Sequence, residues 1–479
     1  MPDATGVRGR KGRLLHERER PRWVRESPYS WQLAVAAVCL GAFMGQLDAS
    51  IVTLVYPSLE REFHEPLGTV QWVSLAYLLV VTAMMVTVGH LSDVLGRKLV
   101  YLYGFGVFTV SSAACSLAPN LTVLVCCRVV QALGAAMLSA NSVALVTIAV
   151  PREKLRGALG IQAAGQALGL AVGPTLGGVL VSTAGWRWVF WINVPVGVAA
   201  IVLGRYLLPR TVQRATDARF DLPGTGWLAV GVTALLGGVS VFSGLPVPGW
   251  TGVLLIALAG VAFAGFLRRE GRAPAPLVSL ALLRDARIAW GLAGAFAGYL
   301  VLFGPLVLVP LALVRHGTSE MRAGLLLSAL PAGFALAANL QERLLPERWT
   351  DRRRCLLGAA LSLAGLAGFA RAAPADLWLI GWLAVLGTGL GVFTPPNNEL
   401  VMGSVPKELS GTGGGMINMV RSLGTALGIA LVTLTFQHGG DHTGDSVLPA
   451  LPVGVLAAVA VLMGVSALPG SRPEPSPSP

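Results

Sequence analysis

The chain has 479 residues, a formal net charge of +12, 54% hydrophobic and only 13% charged residues, and a mean hydropathy of +0.67. Soluble domains carry about 25% charged residues, so water is not this chain's main solvent. The basic residues sit in gaps between apolar runs rather than on one face, which argues against nucleic acid as a partner. The five cysteines, Cys39, Cys115, Cys126, Cys127 and Cys355, are odd in number and show no CxxC or Cys/His spacing, which argues against a disulfide framework and a metal site.

Apolar runs of about 20 residues span a bilayer. Fourteen are predicted, near 31–56, 69–90, 97–118, 121–147, 156–183, 188–208, 224–244, 250–268, 287–314, 319–344, 354–371, 376–398, 409–436 and 447–468. All are read as helices, because hydrocarbon offers nothing to unpaired backbone groups. Residues 1–30 form a basic tail expected on the cytoplasmic side. The first apolar run is too long and too late for a signal peptide. Residues 469–479 are a Pro/Ser-rich tail expected to be disordered.

Charge tests this division. With both termini cytoplasmic, 29 of the 36 Lys and Arg fall in inside segments and five in outside segments, and Arg128 and Arg421 lie within spans. Missing one early span would invert every later gap and destroy this bias. The expected fold is therefore an all-α integral membrane protein with an even number of spans.

"LGLAVG" (168–173) in the fifth span resembles "LGTALG" (423–428) in the thirteenth. The two become equivalent if the chain is a six-helix bundle over 31–209, two extra helices with cytoplasmic connectors over 210–285, and a second six-helix bundle over 286–468. Parallel halves of this kind mark a transporter architecture.

Several stretches carry a more specific likeness. "GHLSDVLGRK" (89–98), "QLDASIVTLVYPSL" (46–59), "RVVQALGAA" (128–136, with Ala132 where Gly is usual), "GWRWVFWINVPVG" (185–197), "DLPG" (221–224) and "GQALGLAVGPTLGG" (165–178) together resemble the major facilitator superfamily, specifically its fourteen-span drug:proton antiporter branch. The resemblance covers nearly all of residues 31–468. It implies the major facilitator fold with 14 transmembrane helices, proton-driven efflux, and a place in the plasma membrane.

Gly165, Gly169, Gly173 and Gly177 recur every four residues along one helix stripe, where another backbone can approach closely. Pro174 removes a helix hydrogen bond beside them. With Gly178 they are read as a tight, bent hinge between the halves, the bias toward export being implied by the resemblance. In "GHLSDVLGRK", Gly89 and Gly96 permit close approach and a tight turn. The resemblance makes Asp93, with Arg97 and Lys98, a cytoplasmic latch against the start of the thirteenth span.

Charges inside spans are expensive and mark function. Asp48 and Arg128 fall at similar depth and are read as a pair that couples protons, a role the resemblance also implies. Gln131, Gln166, Asn193 and Arg421 are candidate substrate contacts. Arg421 corresponds to Gln166 when the glycines are aligned. Trp186, Trp188 and Trp191 suit an interfacial belt.

No P-loop and no cluster of nucleophile, base or metal ligand is visible, so neither ATP hydrolysis nor enzymatic catalysis is expected. The expected activity is proton-coupled export of small amphiphilic molecules by a monomer, without cofactor, its partners being substrate, protons and the lipid bilayer. A proton-coupled importer on the same fold is the alternative; a receptor or channel fits less well.

Overall fold

The computed structural model describes residues 20–151, 154–210, 221–242, 245, 247–273, 280–346, 348–370, 376–405, 410–438 and 450–467. Both tails beyond this range and most of the connector before residue 221 lie outside the described residues.

The described residues form helices and no strands. The long helices are α1 Ser30–Ile51, α2 Trp72–Leu95, α3 Arg97–Ser116, α4 Leu121–Ala149, α5 Leu155–Ala184, α6 Asn193–Leu207, α7 Leu222–Phe242, α8 Gly249–Glu270, α9 Ala286–Arg315, α10 Ala329–Leu344, α11 Asp351–Ala370, α12 Asp376–Ser404, α13 Ser410–His438 and α14 Ala450–Ser466. After α1 a 3₁₀ turn, Val52–Val55, leads into Tyr56–Phe63; the short helix Glu320–Leu327 leads into α10.

Twelve helical stretches are long and apolar enough to cross a membrane among the described residues. Two of the fourteen expected spans fall short of that measure. Helix α11 opens with Asp351, Arg352, Arg353 and Arg354, and α14 has only 17 residues.

Packing repeats along the chain. Helix α1 lies on α5 as α9 lies on α13; α3 lies on α4 as α11 lies on α12; α6 touches α1 and α3 as α14 touches α9 and α11. Glycines give the register of this repeat. A Cβ at Gly169 would strike Phe43 O and Leu47 N, and one at Gly424 would strike Phe296 O and Leu300 N. A Cβ at Gly134 would strike Gly104 O and Phe108 N, and one at Gly389 would strike Gly358 O and Ser362 N. Counting from these contacts aligns "AFMGQLD" (42–48) with "AFAGYLV" (295–301).

Asp221 caps α7: its Oδ1 accepts from Gly224 N at 3.2 Å and from Arg269 of α8 at 3.0 Å. This gives "DLPG" a local reason, a carboxylate at a helix start. Helix α7 packs on both α2 and α13, with hydrogen bonds Gln71–Ser240 at 3.1 Å and Thr87–Thr225 at 2.9 Å, while α8 packs on α7.

Candidate functional site

Asn120 starts α4 by accepting from Val123 N at 2.9 Å. Two turns on, Arg128 points into the first six-helix set. Its Nη1 donates to Asp48 Oδ2 at 2.6 Å and to Gln131 Oε1 at 2.6 Å, and its Nε donates to Val73 O at 2.9 Å. Gln131 and Asn193 donate to the other carboxylate oxygen at 3.0 and 3.2 Å, and Gln131 also donates to Ser112 Oγ at 2.8 Å. Tyr77 lays its ring 4.1 Å from the guanidinium carbon. Five helices, α1, α2, α3, α4 and α6, thus converge on one carboxylate and one guanidinium, both fully buried. Just past Asp48, α1 tightens into the 3₁₀ turn, a local irregularity common at functional hinges.

The pair expected from the sequence, Asp48 and Arg128, and two of the candidate substrate contacts, Gln131 and Asn193, form one cluster here. Gln131 and Asn193 both donate to the carboxylate. Gln131 lies three residues after Arg128, on the same helix face. Ser112 and Tyr77 were not singled out, because neither stands out in an apolar helix.

The register of the repeat adds a comparison within the chain. The positions equivalent to Asp48, Arg128, Gln131 and Ser112 are Val301, Leu383, Leu386 and Leu366. At these four positions the first half is polar and the second apolar.

The glycine stripe of α5 faces α1 of its own half. Gly165 lies against Cys39, Gly169 against Phe43 and Leu47, Gly173 against Ser50, and Gly177 against Ile51 and Leu54. Two other members of the expected hinge, Pro174 and Gly178, make the contact between the halves. Gly178 meets the backbone of Glu320 and Met321, and Gly324 meets Pro174 O. Arg61 pairs with Glu320 beside it, and Arg315 approaches Glu60 at 3.9 Å. The halves are therefore in contact at the end carrying residues 60, 61, 315 and 320. Pro174 sits inside an unbroken helix, Leu155–Ala184.

In "GHLSDVLGRK" Gly96 makes the turn between α2 and α3 at φ +111°, a conformation that favours glycine. Gly89 has open space where a Cβ would be, so no close approach occurs there. Lys98 is buried and donates from Nζ to Leu208 O at 2.7 Å, satisfying a carbonyl at the end of α6. Arg97 starts α3. The Asp93 side chain, and residues 406–409 with the side chains of 411–413, lie outside the described residues, and so does the latch contact.

Arg421 is half-buried, 5.1 Å above the Tyr299 ring, with its Nη1 3.5 Å from Asn418 Oδ1 and its Nε buried without a partner. Gln166 is half-buried on α5. A groove of about 450 Å³ runs between α1 and α5, lined by Gln32, Val35, Ala36, Cys39, Leu40, Phe43, Ile161, Gly165 and Leu168. Its walls are almost wholly apolar and its size suits a drug-sized molecule. Of the expected belt, Trp188 and Trp191 are exposed. Trp186 is buried instead, because its Nε1 donates to Glu62 at 2.6 Å and its ring packs on Phe63 and Phe190.

A profile of the Major Facilitator Superfamily matches residues 38–429. The chain is similar to the multidrug resistance protein Stp of Mycobacterium tuberculosis, 34% identical over 409 residues, 84% of this chain and 75% of the relative. It is also similar to the tetracenomycin C resistance and export protein of Streptomyces glaucescens, 31% identical over 425 residues, 87% of this chain and 78% of the relative. The riboflavin transporter RibZ of Clostridioides difficile is 32% identical over 412 residues, 85% of this chain and 88% of the relative.

Proposed function

The chain belongs to the major facilitator superfamily, as a multi-pass membrane transporter and not an enzyme, and from that premise we propose that it exports small amphiphilic molecules in exchange for protons. The carrying observation is the Asp48–Arg128 pair. Its carboxylate accepts from three donors and is sealed from water, at a point where five helices of the first half meet. Alternating access moves those helices and so changes both the geometry and the solvation of the pair.

The apolar groove beside α1 supports an amphiphilic cargo, and the names of the resistance and export relatives support the outward direction. We infer fourteen spans, α11 and α14 being the third and sixth helices of the second half, with both termini cytoplasmic and the plasma membrane as location. The α11 arginines at the cytoplasmic boundary would extend their charged ends to the interface. The chain acts without cofactor, as a monomer whose two halves enclose the path.

Inverted membrane vesicles with an acidic lumen test the reading directly. They should accumulate neutral and monocationic amphiphilic dyes, and the accumulation should collapse with the pH gradient. Accumulation confined to right-side-out vesicles would instead support import, the reading that the riboflavin-named relative keeps open.

A further inference from the structure

Arg421 is a cation in the middle of a span of the second half, away from the Asp48–Arg128 pair. We propose that Arg421 of α13 and Tyr299 of α9 form a subsite that selects the cargo, and that the ligand it prefers is an aromatic monoanion, an arene carrying a carboxylate or an ionised phenol. The inference rests on the export of amphiphiles proposed above and narrows it to a substrate class.

Helix α13 starts at Ser410, so Arg421 lies about 16 Å along it at about 1.5 Å per residue. A guanidinium keeps its charge there, and a charge at that depth is costly unless another group answers it. The protein answers this one with neutral groups. The Tyr299 ring centre is 5.1 Å from the guanidinium carbon, Nη1 is 3.5 Å from Asn418 Oδ1, and Nε is buried without an acceptor. Among the described residues no carboxylate pairs with it. The ring attracts the cation, but the N–H groups remain short of acceptors. An incoming anion supplies both the acceptors and the opposite charge.

The position of Arg421 is one that cargo can reach. One turn further along α13, Thr425 shares with Ala49 of α1 and Ser74 of α2 the narrow gap at the seam between the halves. Residues four apart lie on one helix face, so Arg421 faces the first half one turn before that seam. On α1, one turn before Ala49, a Cβ added to Gly45 would meet nothing within 4 Å, so the space between the halves widens at this level. The internal repeat identifies the facing wall. Aligning "AFMGQLD" with "AFAGYLV" makes Gln46 the equivalent of Tyr299, and aligning the glycines of α5 and α13 makes Gln166 the equivalent of Arg421. Gln46 and Gln166 are half-buried and make no hydrogen bond among the described residues. Equivalent positions in the two halves thus carry a cation on an aromatic ring on one side and two neutral amides on the other. A carboxylate meets a guanidinium through two parallel N–H···O bonds. The arene bearing it then packs beside Tyr299, and its hydroxyl or carbonyl groups fall to the two glutamines, which both donate and accept.

Naphthaleneacetate and its neutral amide, two probes of the same shape and different charge, test the subsite by calorimetric titration of the full chain in nanodiscs. The parent should bind the acid about tenfold more tightly than the amide. Arg421→Gln should remove that preference and leave the amide within about twofold of the parent, whereas Arg421→Lys, which keeps the charge without the planar fork, should fall between them. Tyr299→Leu should weaken both probes by about fivefold, and Tyr299→Phe should spare both. Gln166→Glu, which sets a carboxylate on the facing wall, should weaken the acid by about fivefold or more and spare the amide; this variant tests the site even where Arg421→Gln does not fold. A parent that fails to bind the acid, or binds it no better than the amide, overturns the inference, as does an Arg421→Gln or Gln166→Glu protein that keeps the parent's preference. The reading beneath it has a separate readout, the uptake of a neutral dye by inverted vesicles. Uptake driven by the pH gradient without a charge preference in binding overturns the subsite alone, and a charge preference in binding without such uptake overturns proton-coupled export and leaves the subsite standing.

Discussion

Arg128 donates to Asp48 across 2.6 Å, and neither side chain reaches solvent. Such a pair is a poor way to stabilise a fold. Desolvating two charges offsets most of their attraction, and apolar residues of similar volume often do as well or better by about 1–4 kcal/mol. The second half of the chain carries that replacement, with Val301 and Leu383 at the equivalent positions and Leu386 opposite Gln131. One architecture therefore holds the same site in an apolar and a charged version.

The first prediction uses that comparison. Asp48→Val with Arg128→Leu and Gln131→Leu installs the residues of the second half in the first. This triple variant should fold with a Tm at or above that of the parent and should not transport. Arg128→Leu alone leaves a buried carboxylate unpaired and should lose about 3–5 kcal/mol. Thermal unfolding in detergent measures both; a triple variant less stable than the single one would show that the pair is a structural device.

The architecture was legible because hydrocarbon imposes a simple rule. Each crossing needs a long apolar helix, and arginines collect at one side. Asp48 and Arg128 stood out for the same reason, as charges where charges are costly. Asn193 could not be joined to them from sequence, since its place depends on how α6 packs against α1, a contact between residues 145 positions apart. In the sequence the internal repeat shows in α5 and α13 through their glycines, whereas "AFMGQLD" and "AFAGYLV" share too few residues to stand out. Their alignment becomes compelling only once Gly169 and Gly424 are seen touching equivalent backbone atoms. Spacing locates the glycine stripe on α5 but not the neighbour it faces: Gly165, Gly169, Gly173 and Gly177 lie against α1, whereas Pro174 and Gly178 meet the second half.

The second prediction follows from that neighbour. At Gly169 a side chain would collide with the α1 backbone, whereas at Gly165 the nearest atom to an added Cβ is the Cys39 Cβ at 3.4 Å. Gly165→Ala should retain efflux, and Gly169→Leu should lose about tenfold or more, because strain at this contact moves α1 and with it Asp48. Gly424→Leu makes the equivalent collision on α9, where no proton site lies, so it should lower protein yield more than proton dependence. Efflux normalised to folded protein separates these effects; equal losses at Gly165 and Gly169 would remove the argument.

The third prediction concerns the sealed end. Arg61 and Glu320 face each other across the halves, and exposed pairs of this kind contribute only about 0–1 kcal/mol. Glu320→Gln should therefore leave transport nearly intact. Locking the same contact should not: Arg61→Cys with Glu320→Cys in a cysteine-free background should stop efflux on oxidation and recover it on reduction. Undiminished efflux by the oxidised pair would mean that this end does not open during transport.

The last prediction bears on the charge of the cargo. Both oxygens of Asp48 are taken, one by Arg128 and one by Gln131 and Asn193, so the carboxylate has little left to offer a cationic drug. Arg421, on α13 of the second half, presents a second cation, with its buried Nε unpaired and the Tyr299 ring beside it. An unpaired charge in a dry cavity is expensive, and a dication would bring two into a protein whose spans already hold two arginines. Neutral, zwitterionic, weakly anionic and at most monocationic amphiphiles should be exported, and divalent biscationic dyes should not. Arg421→Gln should weaken transport of anionic substrates by about fivefold or more while sparing neutral ones, the loss of a charge-assisted contact. Efflux assays over a dye series of graded charge decide the matter: transport of the dications by the parent, or an Arg421→Gln effect independent of substrate charge, would contradict this account of the cavity.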